Sequence, residues 1–154
     1  MTEFPLAVIT KLAHFDRVGG GQLVLPVNRL ACLVLVGPEV VFDAWVDSGS
    51  PLTVFPEKDW RPFEAAVTWR DDLAGGLPKL NVAGGEFPFR FGRVMLDLMS
   101  ADLRAELVGL EVEAMFPFDD GRLPITLLSL WGGALAGRRL VVEPDLASAR
   151  LEAA

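Results

Sequence analysis

The 15 glycines and 11 prolines of this 154-residue chain cut it into apolar runs too short for long helices. Short runs rich in Val, Ile and Leu between such breakers are the mark of buried strands. Leu23-Val24-Leu25, Leu30 to Val36 and Val40 to Val46 are read as successive strands, with Pro26-Val27-Asn28 and Gly37-Pro38-Glu39 as the turns between them. Leu77 to Val82 leads to Gly84-Gly85, after which Phe87, Phe89 and Phe91 alternate with Pro88 and Arg90, the pattern of a hairpin with a glycine tip. Val94, Leu96 and Leu98 are read as continuing that alternation, and Val108 to Phe116 and Arg139 to Val142 as further strands. Helix is expected in only two places. Pro56 to Trp69 opens with a proline tolerated at a helix start, and a short segment from Ser129 to Gly137 has an N-cap serine and a terminal glycine. The fold class is therefore mainly β, closed or sandwiched, with one or two short helices.

Composition removes several classes of function. Hydrophobic residues make up 51% of the chain and charged ones 23%, enough for one ordinary core. With 14 basic against 21 acidic residues the net charge is −7, and no Lys/Arg cluster offsets it, so no nucleic-acid partner is expected. The mean hydropathy of +0.37 raises the question of a membrane. The longest uncharged run, Leu123 to Gly137, falls short of the roughly 20 apolar residues a spanning helix needs and is broken by Pro124 and three glycines. Glu3 and Lys11 flank a short apolar run at the N-terminus with no basic start or small-residue cleavage site, so no membrane partner is expected and the location is read as cytoplasmic. One cysteine, Cys32, and one histidine, His14, leave no pair for a disulfide, a Cys-rich zinc site or a histidine cage, and neither cofactor nor metal is expected. Cys32 lies in an apolar run and reads as a small buried hydrophobe; His14 has no nucleophile signature to serve. Gly19-Gly20-Gly21 lacks the Lys-Ser/Thr of a phosphate loop, and Arg138-Arg139 reads as a solvated strand edge.

One carboxylate stands apart. Asp47 directly follows the apolar run Val40 to Val46, enters the turn Ser48-Gly49-Ser50-Pro51, and is followed by a second apolar run, Leu52 to Phe55. Two readings fit. An Asp here can begin an Asx-turn, bonding amides two residues on. Against that common case stands a reactive carboxylate at the end of a buried strand.

The segment Ala44-Trp45-Val46-Asp47-Ser48-Gly49-Ser50-Pro51-Leu52-Thr53-Val54 resembles the active-site signature of aspartic proteases, two apolar residues followed by Asp-Thr/Ser-Gly-Ala/Ser. The nearest second match, Asp119-Asp120-Gly121, lacks the hydroxyl residue and the apolar lead-in. One copy in a chain of this length is similar to the single-lobe, retropepsin-like branch. That resemblance implies an acid-protease-like β-barrel lobe over residues 23–143, preceded by an N-terminal arm or first strand (1–22) and followed by a C-terminal tail (144–154). It implies Asp47, Ser48 and Gly49 as the catalytic triplet, and a flap for substrate binding at Val82, Ala83, Gly84, Gly85 and Glu86. Leu127, Leu128 and Ser129 match the loop that supports the triplet, with Ser129 where the family has glycine. The strand Arg138 to Val142 would close the lobe. The implied activity is endopeptidase cleavage of a peptide or protein substrate by a two-Asp dyad, which one chain supplies only by forming a homodimer. The alternative is a catalytically inactive dimerisation or peptide-binding module, in which the Ser129 side chain displaces Asp47. The hairpin at Gly84-Gly85 can also be an ordinary exposed one, and the three phenylalanines fit the core better than the cleft.

Overall fold

The computed structural model describes residues 3–70, 76–82, 85–131, 135 and 137–153. Eleven strands form one continuous sheet: β1 (Glu3–Asp16), β2 (Gln22–Val36), β3 (Val40–Asp47), β4 (Thr53–Val54), β5 (Thr68–Trp69), β6 (Lys79–Val82), β7 (Gly85–Met99), β8 (Glu106–Pro117), β9 (Thr126–Ser129), β10 (Arg138–Glu143) and β11 (Ser148–Ala153). The hydrogen-bonded path β2–β3–β9–β4–β8–β7 returns to β2 through Leu33↔Met99, Val34↔Leu98 and Leu35↔Asp97. The barrel is thus closed, as expected, but by the β2–β7 pairing. Arg138–Glu143, expected to close it, lies at the far end of the sheet, paired only with β11 among the described residues.

Closure comes from alternation. Cys32, Val34 and Val36 on β2, Ala44 and Val46 on β3, and Val94, Leu96 and Leu98 on β7 turn one face inward at every second position, where all are buried. Cys32 is the small hydrophobe expected of it, and burial pushes its thiol up to about 12. One end of the barrel is filled by the helical segment: α1 (Glu57–Trp60) runs into a 3₁₀ stretch, Arg61–Ala66, within the span expected for helix. Its Trp60 and Phe63 pack among Phe42, Phe55, Trp69, Phe116 and Phe118 in edge-on and stacked contacts with centroids 5.0–6.4 Å apart. The Trp60 Nε1–H donates to the Pro117 carbonyl at 2.9 Å, which removes the cost of burying the indole nitrogen. Truncating Phe116, at the centre of these contacts, costs about 3–5 kcal/mol.

Three elements depart from the sequence reading. The two strands expected around Pro26-Val27-Asn28 are one, β2, running through Pro26. On the N-terminal side of Arg29 this strand has only β1 beside it among the described residues, as a two-stranded ribbon, so a proline there meets the tolerance of an edge strand. The glycine triplet is the tip of that ribbon. On β7 the buried positions change parity. Phe87 is buried, with Phe89 and Phe91 half-buried, in a small second cluster with Val54, Met115 and Leu123, whereas from Gly92 onward the even positions face the barrel. A Cβ on Gly92 would lie 2.9 Å from Val67 Cγ1 and 3.0 Å from the Thr68 carbonyl, so glycine lets β5 close over the strand where the faces exchange. Third, residues 148–153, expected within a tail, form β11 between β1 and β10 with Ala149 and Leu151 buried; β1, with buried Phe4 and Leu6, is the first-strand alternative of the N-terminal expectation. The helix expected from Ser129 to Gly137 falls largely on residues 132–134 and 136, outside the described residues; Ser129 itself ends β9.

Candidate active site

β3 delivers Asp47 to the barrel's edge, where the chain enters a tight turn. The Gly49 N–H donates to Asp47 Oδ1 at 2.9 Å, and the Ser50 N–H to the Asp47 carbonyl at 3.3 Å. The Asx-turn and the candidate carboxylate are therefore the same group. Among the described residues no hydrogen bond reaches Oδ2. A Cβ on Gly49 would stand 3.3 Å from Oδ1, so a side chain there would press on the carboxylate that the amide holds. Asp47 is half-buried, and Ser48 and Gly49 are exposed.

The turn is braced from β9, which runs parallel to β3 with Asp47 opposite Ser129. The Ser129 hydroxyl, almost fully buried, donates to the Ser50 carbonyl at 2.6 Å and accepts from the Trp131 N–H at 3.0 Å. The Ser129 N–H donates to Thr53 Oγ1 at 3.1 Å, and the Ser50 hydroxyl to the Leu52 carbonyl at 2.6 Å. From the other side the Trp131 indole N–H donates to the Ser48 carbonyl at 2.8 Å. Ser129 thus points its hydroxyl to Ser50 while Asp47 keeps its bond to Gly49. Leu128 is buried in the core beneath this brace and Leu127 is half-buried at the cleft.

Beside the turn lies a cleft of about 430 Å³ lined by Asp47 and Ser48, Trp45 and Val54, Asn28 to Leu30, Leu123 to Ile125, Leu127 and Leu140. It is largely apolar; among the described residues Asp47 is its one carboxylate and Arg29 its one cationic side chain. The β6–β7 hairpin is present, with Val82 opposite Gly85 and Asn81 opposite Glu86. Lys79 and Glu86 form an ion pair of 2.9 Å on its exposed surface. Ala83 and Gly84, the expected tip, lie outside the described residues. No group of His, Cys, Asp and Glu able to hold a metal occurs among the described residues, and no described helix is long and apolar enough to cross a membrane. His14 is exposed on the ribbon and does not line the cleft.

The triplet and the segment Leu127 to Ser129 were singled out from the sequence; the bonds of Ser129 to Ser50 and Thr53, the cleft walls from β2 and β10 and the indole of Trp131 were not. A signal that could have found the brace is Thr53, a polar residue inside the apolar run Leu52 to Phe55, which its bond to Ser129 explains.

The second acidic turn behaves differently. Asp119 is fully buried, with Oδ1 accepting from the Glu57 N–H at 2.8 Å and Oδ2 from the Leu123 N–H at 2.9 Å. It ties the start of α1 to the loop before β9. Nearby, Asp59 accepts from the Thr126 hydroxyl at 2.9 Å. Burial raises its carboxyl above the usual range, against smaller downward pulls from the Thr126 bond and from Lys58.

No protein-family model matches the chain, and no curated protein does. Among solved structures it is similar to a retropepsin-like aspartic protease from Rickettsia conorii, at 14% identity over 95% of each chain with a TM-score of 0.48. No residue of the site is assigned through that likeness.

Proposed function

We propose that the chain is an aspartic endopeptidase whose working unit is a homodimer, with Asp47 of each copy forming the catalytic pair. The observation that carries this reading is Asp47 itself. It is a half-buried carboxylate at the lip of an apolar cleft, with one oxygen held by the Gly49 amide and its turn braced by Ser129 and Trp131. The match of residues 44–54 to the aspartic-protease signature supports it.

Two carboxylates brought together cannot both ionise cheaply, so they share one proton. The ionised member takes a proton from a water whose oxygen attacks the peptide carbonyl carbon. The protonated member gives its proton to the carbonyl oxygen, forming a neutral gem-diol. Collapse of the gem-diol breaks the C–N bond as the amine gains a proton, and the products are a carboxylic acid and an amine, with the pair again sharing one proton. Ser48 would bond across the pair and hold the two turns together. The β6–β7 hairpin would serve as the flap, with Gly85 and Glu86 at its described end, closing over the peptide to exclude water.

The test combines turnover and assembly. Peptide cleavage should be greatest in the acid range, because it needs one protonated and one ionised member. It should be lost in Asp47→Asn and blocked by a hydroxyl-bearing mimic of the gem-diol, and sedimentation should give a dimer. Undiminished cleavage by Asp47→Asn would reject the reading. Peptide affinity with no turnover at any pH would identify the inactive binding module instead.

A further inference from the structure

Arg29 is the only cation lining the cleft among the described residues, and it lies against an aromatic ring of the same cleft. The guanidinium carbon stands 5.2 Å from the centroid of the Trp45 ring, two residues before Asp47 on the same face of β3. From β1, Lys11 brings its Nζ to 5.3 Å from the same ring. Two cations on one indole is a cation–π arrangement that fixes where the charge sits without neutralising it. Neither cation makes an ion pair among the described residues, although Asp43 lies on the same face of β3 and Asp47 in the same cleft. On a protein of net charge −7 this leaves two cations on one ring without an ion-pair partner, one of them in the same cleft as Asp47.

We propose that Arg29, supported by Lys11 and stacked on Trp45, forms a carboxylate subsite of the cleft, so that the peptides taken carry a carboxylate close to the bond presented to Asp47. A guanidinium held over an aromatic ring keeps its forked N–H donors for a carboxylate, which they meet in two parallel bonds at less ordering cost than a free arginine. The apolar remainder of the lining takes the neighbouring side chains. The carboxylate can come from a Glu or Asp side chain or from the end of the peptide. The inference rests on the peptidase reading for the meaning of "close to the bond", but the subsite itself is a binding property.

The test uses N-acetylated, C-amidated peptides with an apolar central pair, in which one Glu is walked along the chain and each peptide is matched by its Gln counterpart, together with the free-acid form of each. At one position the Glu peptide should be cleaved with kcat/KM about tenfold or more above its Gln partner, the usual range for a hydrogen-bonded charge. Arg29→Met, which keeps a long apolar side chain on Trp45, should bring that ratio to about one; Arg29→Lys should restore part of it, and Lys11→Met should lower it by a smaller factor. Free-acid peptides favoured over amides, with the preference lost in Arg29→Met, would place the ligand at the chain end and retain the subsite. The same pairs titrated calorimetrically into Asp47→Asn separate the two readings. Absent turnover by the wild type, with a Glu preference in affinity that Arg29→Met removes, would reject the peptidase and keep the subsite. Equal affinity for all forms, or a preference that survives in Arg29→Met, would overturn the subsite.

Discussion

Asp47 and Asp119 both open acidic turns that contain glycine, and both accept backbone N–H groups, yet their surroundings are opposite. Asp119 is sealed, each oxygen taking one amide, and it joins α1 to the loop leading into β9. Asp47 has one oxygen satisfied, a glycine pressed against it and a cleft beside it. A carboxylate whose acceptors are all met from within the chain is part of the scaffold. One held by a single amide at a cavity's edge is positioned and still free to react, which is the condition for acid–base chemistry.

The sharpest way to break this contrast is to neutralise the two in turn. Asp47→Asn is expected to lower peptide turnover by roughly a thousandfold or more while leaving the melting temperature close to that of the wild type, as followed by circular dichroism. A large loss of stability in that variant would make Asp47 a scaffold residue like its counterpart. Asp119→Ala strands two amides, one buried and one partly buried, and should reduce the unfolding free energy by about 2–6 kcal/mol, at 1–3 kcal/mol for each unpaired group, in urea titrations. Little change there would show that water replaces the carboxylate.

Between these extremes sits the brace. Ser129→Ala removes the acceptor of the Trp131 N–H and the donor to the Ser50 carbonyl, so a loss of about 1–2 kcal/mol is expected, with a lower kcat in the same variant. An unaltered kcat would detach the brace from the site. The last prediction concerns pH and Asp59. Its carboxyl titrates above the ordinary value of 3.8 in the folded chain, chiefly through burial. Between that value and the raised one the native state binds more protons than the unfolded state, so this group's contribution declines as pH rises through the window and stays reduced above it. The stability of wild type relative to Asp59→Asn should therefore be greater near the acid end than at neutral pH in matched denaturant titrations. An opposite slope would mean that the bond from Thr126 outweighs the burial.

Much of the scaffold was legible because alternation and breakers act locally. Val40 to Val46 emerged as β3, the hairpin of β6 and β7 paired as read, and helix appeared within the span from Pro56 to Trp69. The misreadings share a cause: what a residue does in a strand depends on what lies beside it. Pro26 looked like a break because nothing local shows that β2 has a free edge there, and the odd-to-even change on β7 depends on β5 covering Gly92. The same holds at the site. The triplet Asp47-Ser48-Gly49 is contiguous and could be read directly. The residues that brace and wall it, Thr53, Trp131, Arg29 and Leu140, are separated along the chain and meet only through strand pairing.

Local pattern was thus enough to set the mainly β character of the chain and to single out Asp47 as the candidate carboxylate, because strand periodicity and a signature of adjacent residues are properties of short segments. Folding in three dimensions was needed to close the barrel through β2 and β7, to bond both oxygens of Asp119 while one of Asp47 is bonded, and to bring Arg29 and Lys11 to the ring of Trp45. Each of those depends on long-range pairings that no local pattern encodes.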